Sequence, residues 1–72
     1  MASITGKGIL EPYSQVAVFP DPVLVSCLPE LMKLPDIYRE NIIAVRGGKV
    51  LGLHEMLYDD DEILVFVSVM GG

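Results

Sequence analysis

The chain has 72 residues, 51% of them hydrophobic and 21% charged, and ten acidic side chains against five Lys and Arg give a net charge of −5. That length holds one domain at most, and that apolar content excludes a disordered chain. The acidic balance argues against nucleic acid, whose phosphates need clustered Lys and Arg, and points to protein partners that offer basic groups.

Residues 4–10 read as a first strand, weakened by Gly6 and Gly8. The Gly6-Lys7-Gly8 triplet lacks the spacing and the following helix of a phosphate loop. Glu11-Pro12-Tyr13-Ser14 reads as a turn, and residues 15–19 as a second strand bounded by Pro20-Asp21-Pro22, so the first two strands form a hairpin. Beyond Pro22 the period changes. Val25, Leu28, Leu31 and Met32 recur at spacings of three and four, which suits one face of a helix. Ser26 serves as its N-cap, Pro29 falls in the first turn where proline costs little, and Pro35 ends it. Residues 36–41 add a further helical turn.

Residues 41–46 form a strand, Gly47-Gly48 supplies the positive φ angles of a tight hairpin, and Lys49-Val50-Leu51 resumes the extended pattern. Residues 53–57 are irregular or a single helical turn. His54 has no second imidazole, thiol or spaced acid in metal register nearby and reads as a surface histidine. The run Asp59-Asp60-Asp61-Glu62 reads as a solvated turn, because metal loops space their ligands and mix in carbonyl donors. Cys27 is the only cysteine, so no internal disulfide is expected; it reads as a small, half-buried hydrophobe.

The last element covers residues 63–70. Ile63, Val65, Val67 and Val69 point one way, and Leu64, Phe66, Ser68 and Met70 the other. Both sets are mainly apolar, as in an interior strand covered on both faces. One helix covers only one face, however, so the other face is expected to be partly bare and to serve for binding. No apolar run reaches the roughly 18–20 residues that span a bilayer, and residues 1–7 lack the apolar region and cleavage-type end of a signal peptide. A cytoplasmic location without membrane attachment is the expectation.

The order strand, strand, helix, strand, strand, strand, Gly-Gly resembles the ubiquitin-like β-grasp sulfur carriers of thiamine-thiazole and molybdopterin synthesis, the ThiS/MoaD family. These carriers commonly read Val-Asn-Gly-x-x-Val at the central hairpin, where this chain has Val45-Arg46-Gly47-Gly48-Lys49-Val50. They commonly read Leu-x-Asp-Gly-Asp-Glu-Val before the last strand, where it has Leu57-Tyr58-Asp59-Asp60-Asp61-Glu62-Ile63. Molybdopterin carriers often place Pro-Pro just before the tail; Val67-Ser68-Val69 stands there instead, which favours the thiazole branch.

The resemblance implies an α+β, β-grasp (ubiquitin-like) fold over residues 1–72, a mixed sheet of about five strands on one main helix, with a flexible tail at 69–72. It implies a carrier and not an enzyme, with no cofactor bound by the chain. A partner activating enzyme of the ThiF/MoeB type uses ATP to adenylate the carboxyl of Gly72. Sulfur from a persulfide donor then converts it to a thiocarboxylate, which serves a thiazole synthase or the large subunit of a molybdopterin synthase. Gly71 gives passage into a narrow cleft, having no side chain, and Met70, Val69 and Phe66 are partner contacts. From Val69 onward an extended tail reaches roughly 13–14 Å. The alternatives are a MoaD-like subunit of molybdopterin synthase, a ubiquitin-like modifier joined to lysines through Gly72, and an interaction domain with an inert tail.

Overall fold

The computed structural model describes residues 1–68. It is an α+β arrangement in which short helical segments lie on one side of a five-stranded mixed sheet. The strands are β1 (Ala2–Gly6), β2 (Gln15–Ala17), β4 (Ile42–Arg46), β5 (Lys49–Leu51) and β7 (Glu62–Val67), in the order β2-β1-β7-β4-β5. A second, two-stranded sheet joins β3 (Val23–Leu24) to β6 (Met56–Leu57). The helices α1 (Leu28–Leu31) and α2 (Asp36–Arg39) are four residues each.

β7 is the middle strand. It runs parallel to β1, pairing Ser3 with Glu62 and Gly6 with Val65, and antiparallel to β4, pairing Ile42 with Val67 and Val45 with Leu64. These registers put Ala2, Ile4, Gly6, Ala44, Ile63 and Val65 on one face, where all are buried. Val25, Leu28, Met32 and Leu34 from the helical segment and Leu10, Phe19 and Leu57 from the connections join them in one core. The sequence spacing of Val25, Leu28 and Met32 therefore does mark the packed face. Leu31 is only partly buried against it.

The helical segment differs from the expected single helix. Val25–Cys27 is a 3-10 turn that leads into α1, whose N-cap position is Cys27 and not Ser26. Proline sits at the start of α1, where a missing N–H costs nothing. The helix stops before Pro35, because Lys33 turns to φ 56° while Leu34 N–H donates to the Pro29 carbonyl at 3.0 Å. That is the left-handed C-terminal closure glycine usually provides. Cys27 is exposed, contrary to its reading as half-buried, because it lies at the helix entrance instead of on the packed stripe.

The first hairpin also differs. β1 ends at Gly6, and Gly8–Tyr13 forms a 3-10 helix where a longer strand and a simple turn were expected. β2 ends at Ala17, and Phe19 lies beyond it in the core, fastened by its own N–H to Asp59. Residues 56–57 form β6 instead of an irregular stretch, paired with residues just before the helix. The last strand is described to Val67; the expected continuation to Met70 extends past the described residues. The Gly47-Gly48 hairpin is as expected, with φ of 60° and 79°, both in the region a two-residue turn of this hand requires.

Gly6 is fixed by contact. A Cβ built there would lie 2.0 Å from the Leu10 carbonyl oxygen, a backbone atom that cannot move without unwinding the 3-10 helix. Gly6→Ala is expected to destabilise the protein by about 3 kcal/mol or more, the upper range for overpacking. Urea unfolding followed by circular dichroism measures this, and a loss below about 1 kcal/mol would show that Leu10 is free to retreat.

Candidate functional site

The sheet face away from the helices has no covering element among the described residues. Alternation along each strand sets its surface. β7 contributes Glu62, Leu64 and Phe66, β4 contributes Ile43 and Val45, β5 contributes Val50, and β1 contributes Ser3 and Thr5. Phe66 pairs with Ile43 and Leu64 with Val45, so the apolar side chains stand in adjacent cross-strand pairs. Phe66 is 37% exposed and Leu64 36%, against 1% for Ile63 and 0% for Val65 on the same strand. β7 is therefore covered on one face and bare on the other. An apolar surface of this kind is a candidate interaction site.

Two shallow concavities lie on the bare face. One, about 380 Å³, is bounded by Ser3, Thr5, Val45, Glu62, Leu64 and the Gly47-Gly48 turn. The other, about 420 Å³, lies between Phe66 and Val67 on one side and Lys7, Gly8 and Ile9 on the other. A third groove of about 490 Å³ lies where α1 and α2 meet the β4-β5 edge, lined by groups including Pro29, Ile42 and Leu53. Arg39 on its rim is already engaged, donating to the Leu34 carbonyl at 2.9 Å and pairing with Asp36 at 3.4 Å. Hydroxyls and a carboxylate line two of them, Ser3 and Thr5 with Glu62 and Ser26 with Glu40, but no hydrogen bond joins these hydroxyls to a carboxylate, and no group of three metal-ligating side chains occurs, among the described residues.

The acidic run is a turn whose carboxylates fasten the chain. Asp61 Oδ2 accepts the Tyr58 N–H and an Arg46 Nη1–H, each at 2.8 Å, and Arg46 also donates to the Met56 carbonyl at 2.9 Å. The Arg46 guanidinium thus ties the β4-β5 hairpin to the entrance of β7. Asp59 Oδ1 accepts the Phe19 N–H at 2.8 Å, and its Oδ2 lies 3.3 Å from the terminal ammonium of Met1. His54 is exposed.

Of the residues expected to act, Phe66 lies on the bare face. Val69, Met70, Gly71 and Gly72 lie outside the described residues. The strand that leads to them is secured on both sides, with Lys7 N–H donating to the Val65 carbonyl at 2.9 Å and Ser68 N–H donating to the Asn41 carbonyl. Ile43, Val45 and Leu64 were not singled out as surface groups. Their apolar alternation was visible, but it becomes a shared face only once β4 and β7 are known to be neighbours.

No family model and no curated protein matches the chain. One α+β chain with a five-stranded mixed sheet is what the fold establishes, and no helix among the described residues is long and apolar enough to cross a membrane.

Two measurements check this site. Leu64→Lys is expected to keep a cooperative unfolding transition within about 1 kcal/mol of the parent, because its side chain already meets water, whereas Val65→Lys buries an unpaired charge and unfolds the protein. Equal losses for the two would reverse the assignment of faces. Asp59 has a pKa held below its ordinary value of 3.8, first by the Phe19 N–H and then by the terminal ammonium, with desolvation opposing both. The stability it adds is present above the unfolded value and is lost as pH falls through the folded one. Urea midpoints of the parent should therefore fall more steeply below about pH 3.8 than those of Asp59→Asn.

Proposed function

We propose that the chain is a β-grasp sulfur carrier of the thiazole-forming branch, acting in the cytoplasm through a thiocarboxylate on Gly72. The observation that carries this reading is the position of β7: it is the middle strand of the sheet, parallel to β1, and it leads directly toward Gly71-Gly72. The sheet order is compatible with a β-grasp fold. A strand hydrogen-bonded on both sides holds the base of a tail firmly, and four residues in fully extended form would reach roughly 13–14 Å.

The chemistry follows from the needs of a carboxylate. A free carboxylate is a poor electrophile, because its charge is delocalised and oxide is a poor leaving group. Adenylation by a ThiF/MoeB-type enzyme joins the Gly72 carboxyl to the α-phosphate of ATP and releases pyrophosphate. Attack by persulfide sulfur on that carbonyl expels AMP, and reductive cleavage of the resulting acyl disulfide by a thiol leaves the thiocarboxylate for a thiazole synthase. The carrier supplies a docking surface, for which Phe66, Leu64, Ile43 and Val45 are suited, and an end slender enough to enter the enzyme. Met70 and Val69 contact the partner near its cleft in this reading.

The test uses the purified native chain with an activating enzyme of this class, ATP, a persulfide donor and a thiol reductant. Intact-mass analysis is expected to show a native species ending at Gly72, which gains the mass of one oxygen-to-sulfur exchange. Deletion of Gly72 should abolish the gain. An unchanged mass, a native chain that continues past Gly72, or recovery of the chain as an amide on lysines of other proteins would each overturn the reading, the last in favour of a protein modifier.

A further inference from the structure

The bare sheet face is polarised along its strands. At one end Glu62 borders the concavity formed with Ser3, Thr5, Val45 and Leu64. At the other end Lys7 borders the concavity formed with Ile9 and Phe66. Because β1 runs parallel to β7, with Ser3 opposite Glu62, Lys7 lies four residues farther along, roughly 13 Å from the acidic end at about 3.3 Å per residue. Neither Glu62 nor Lys7 takes part in an ion pair among the described residues. Leu64 lies midway between these ends, beside Thr5.

This pattern is its own complement. A two-fold axis lying in the plane of the face, perpendicular to the strands and passing by Leu64, reverses strand direction while stacking β7 on β7 and β1 on β1. The operation brings the acidic end of each copy over the basic end of the other, and Leu64 meets its symmetry mate. Phe66 then stands over the opposite concavity, which the side-chain-free Gly47-Gly48 turn leaves open. Stacked sheets lie about 10 Å apart, and Lys7 at the end of β1 is offset by one strand spacing, about 4.8 Å, from Glu62 on the mate's β7, a diagonal that the two long side chains bridge together. A two-fold contact of this kind is isologous and closes on itself, so it produces a dimer and no longer chain.

We propose that the outer sheet face is a self-association surface, and that its occupant is a second copy of this chain, held by two symmetric Lys7–Glu62 pairs around an apolar centre. Five short strands about 4.8 Å apart present only a few hundred Å² per copy, below the roughly 800 Å² of a standard stable interface. The dimer is therefore weak and reversible. Self-association would cover Leu64, Phe66, Ile43 and Val45 and so compete with any other protein that uses them. It does not depend on the sulfur-carrier reading.

Sedimentation velocity from roughly 10 μM to 1 mM tests it at about 0.15 M salt, where the repulsion between two copies of net charge −5 is screened beyond about 8 Å while the close Lys7–Glu62 pairs persist. The native chain is expected to pass from monomer to dimer. Lys7→Glu places acids at both ends of the face and Glu62→Lys places bases at both ends, so each variant alone is expected to stay monomeric. Mixed in equal amounts, they should associate with each other, and the doubly reversed chain should dimerise like the native one. Circular dichroism checks that both single variants fold; if either does not, the doubly reversed chain decides. A native chain that is monomeric at the highest concentration, or a dimer indifferent to both reversals, overturns the proposal. A monomer that still gains sulfur removes this inference alone, and a dimer that gains none removes the carrier alone.

Discussion

The described residues cover one face of the five-stranded sheet and leave the other bare. The inner face takes nearly all the available cover: a 3-10 turn, two four-residue helices and the connections that carry Leu10, Phe19 and Leu57. The outer face keeps its Leu, Phe, Ile and Val in contact with water. In a larger domain a second helical layer would bury them. Here their exposure costs hydrophobic stabilisation, and that cost is the physical reason to assign the face a binding role.

The thin cover also sets demands on the covered side. Helices of four residues have little stability of their own, so tertiary contact must hold them in place. Small residues at Ala2, Gly6 and Ala44 let that contact be close, and at Gly6 the Leu10 carbonyl occupies the space a methyl group would need. Polar ties complete the fastening where apolar packing ends. Asp59 holds the backbone at Phe19, and Asp61 with Arg46 holds the start of β7 to the far hairpin. An acidic run that resembles a solvated turn thus fixes the entrance of the middle strand.

Local chemistry made several elements legible in the sequence. The alternation of Ile63-Leu64-Val65-Phe66 marked the last strand, the paired glycines marked a hairpin, and Val25, Leu28 and Met32 marked the packed helical stripe. Where long-range pairing decides the outcome, the sequence was silent. The strands β3 and β6 are two residues each, too short for a periodic signal, and exist because residues 32 or more apart meet. The early end of β1 depends on the 3-10 helix that folds against it. The bare face was foreseeable from the shortage of helix, but its members on β4 became visible only with the strand order. Its polarity required knowing that β1 and β7 run side by side in the same direction.

Cys27 has a practical consequence. It is the only cysteine, it is exposed, and it sits at the entrance of α1 on the helical side of the sheet. A fluorophore or spin label attached through its sulfur would ride on the surface opposite the apolar strands. The molecule thus carries a single natural attachment point from which events on its other side can be watched without obstructing them.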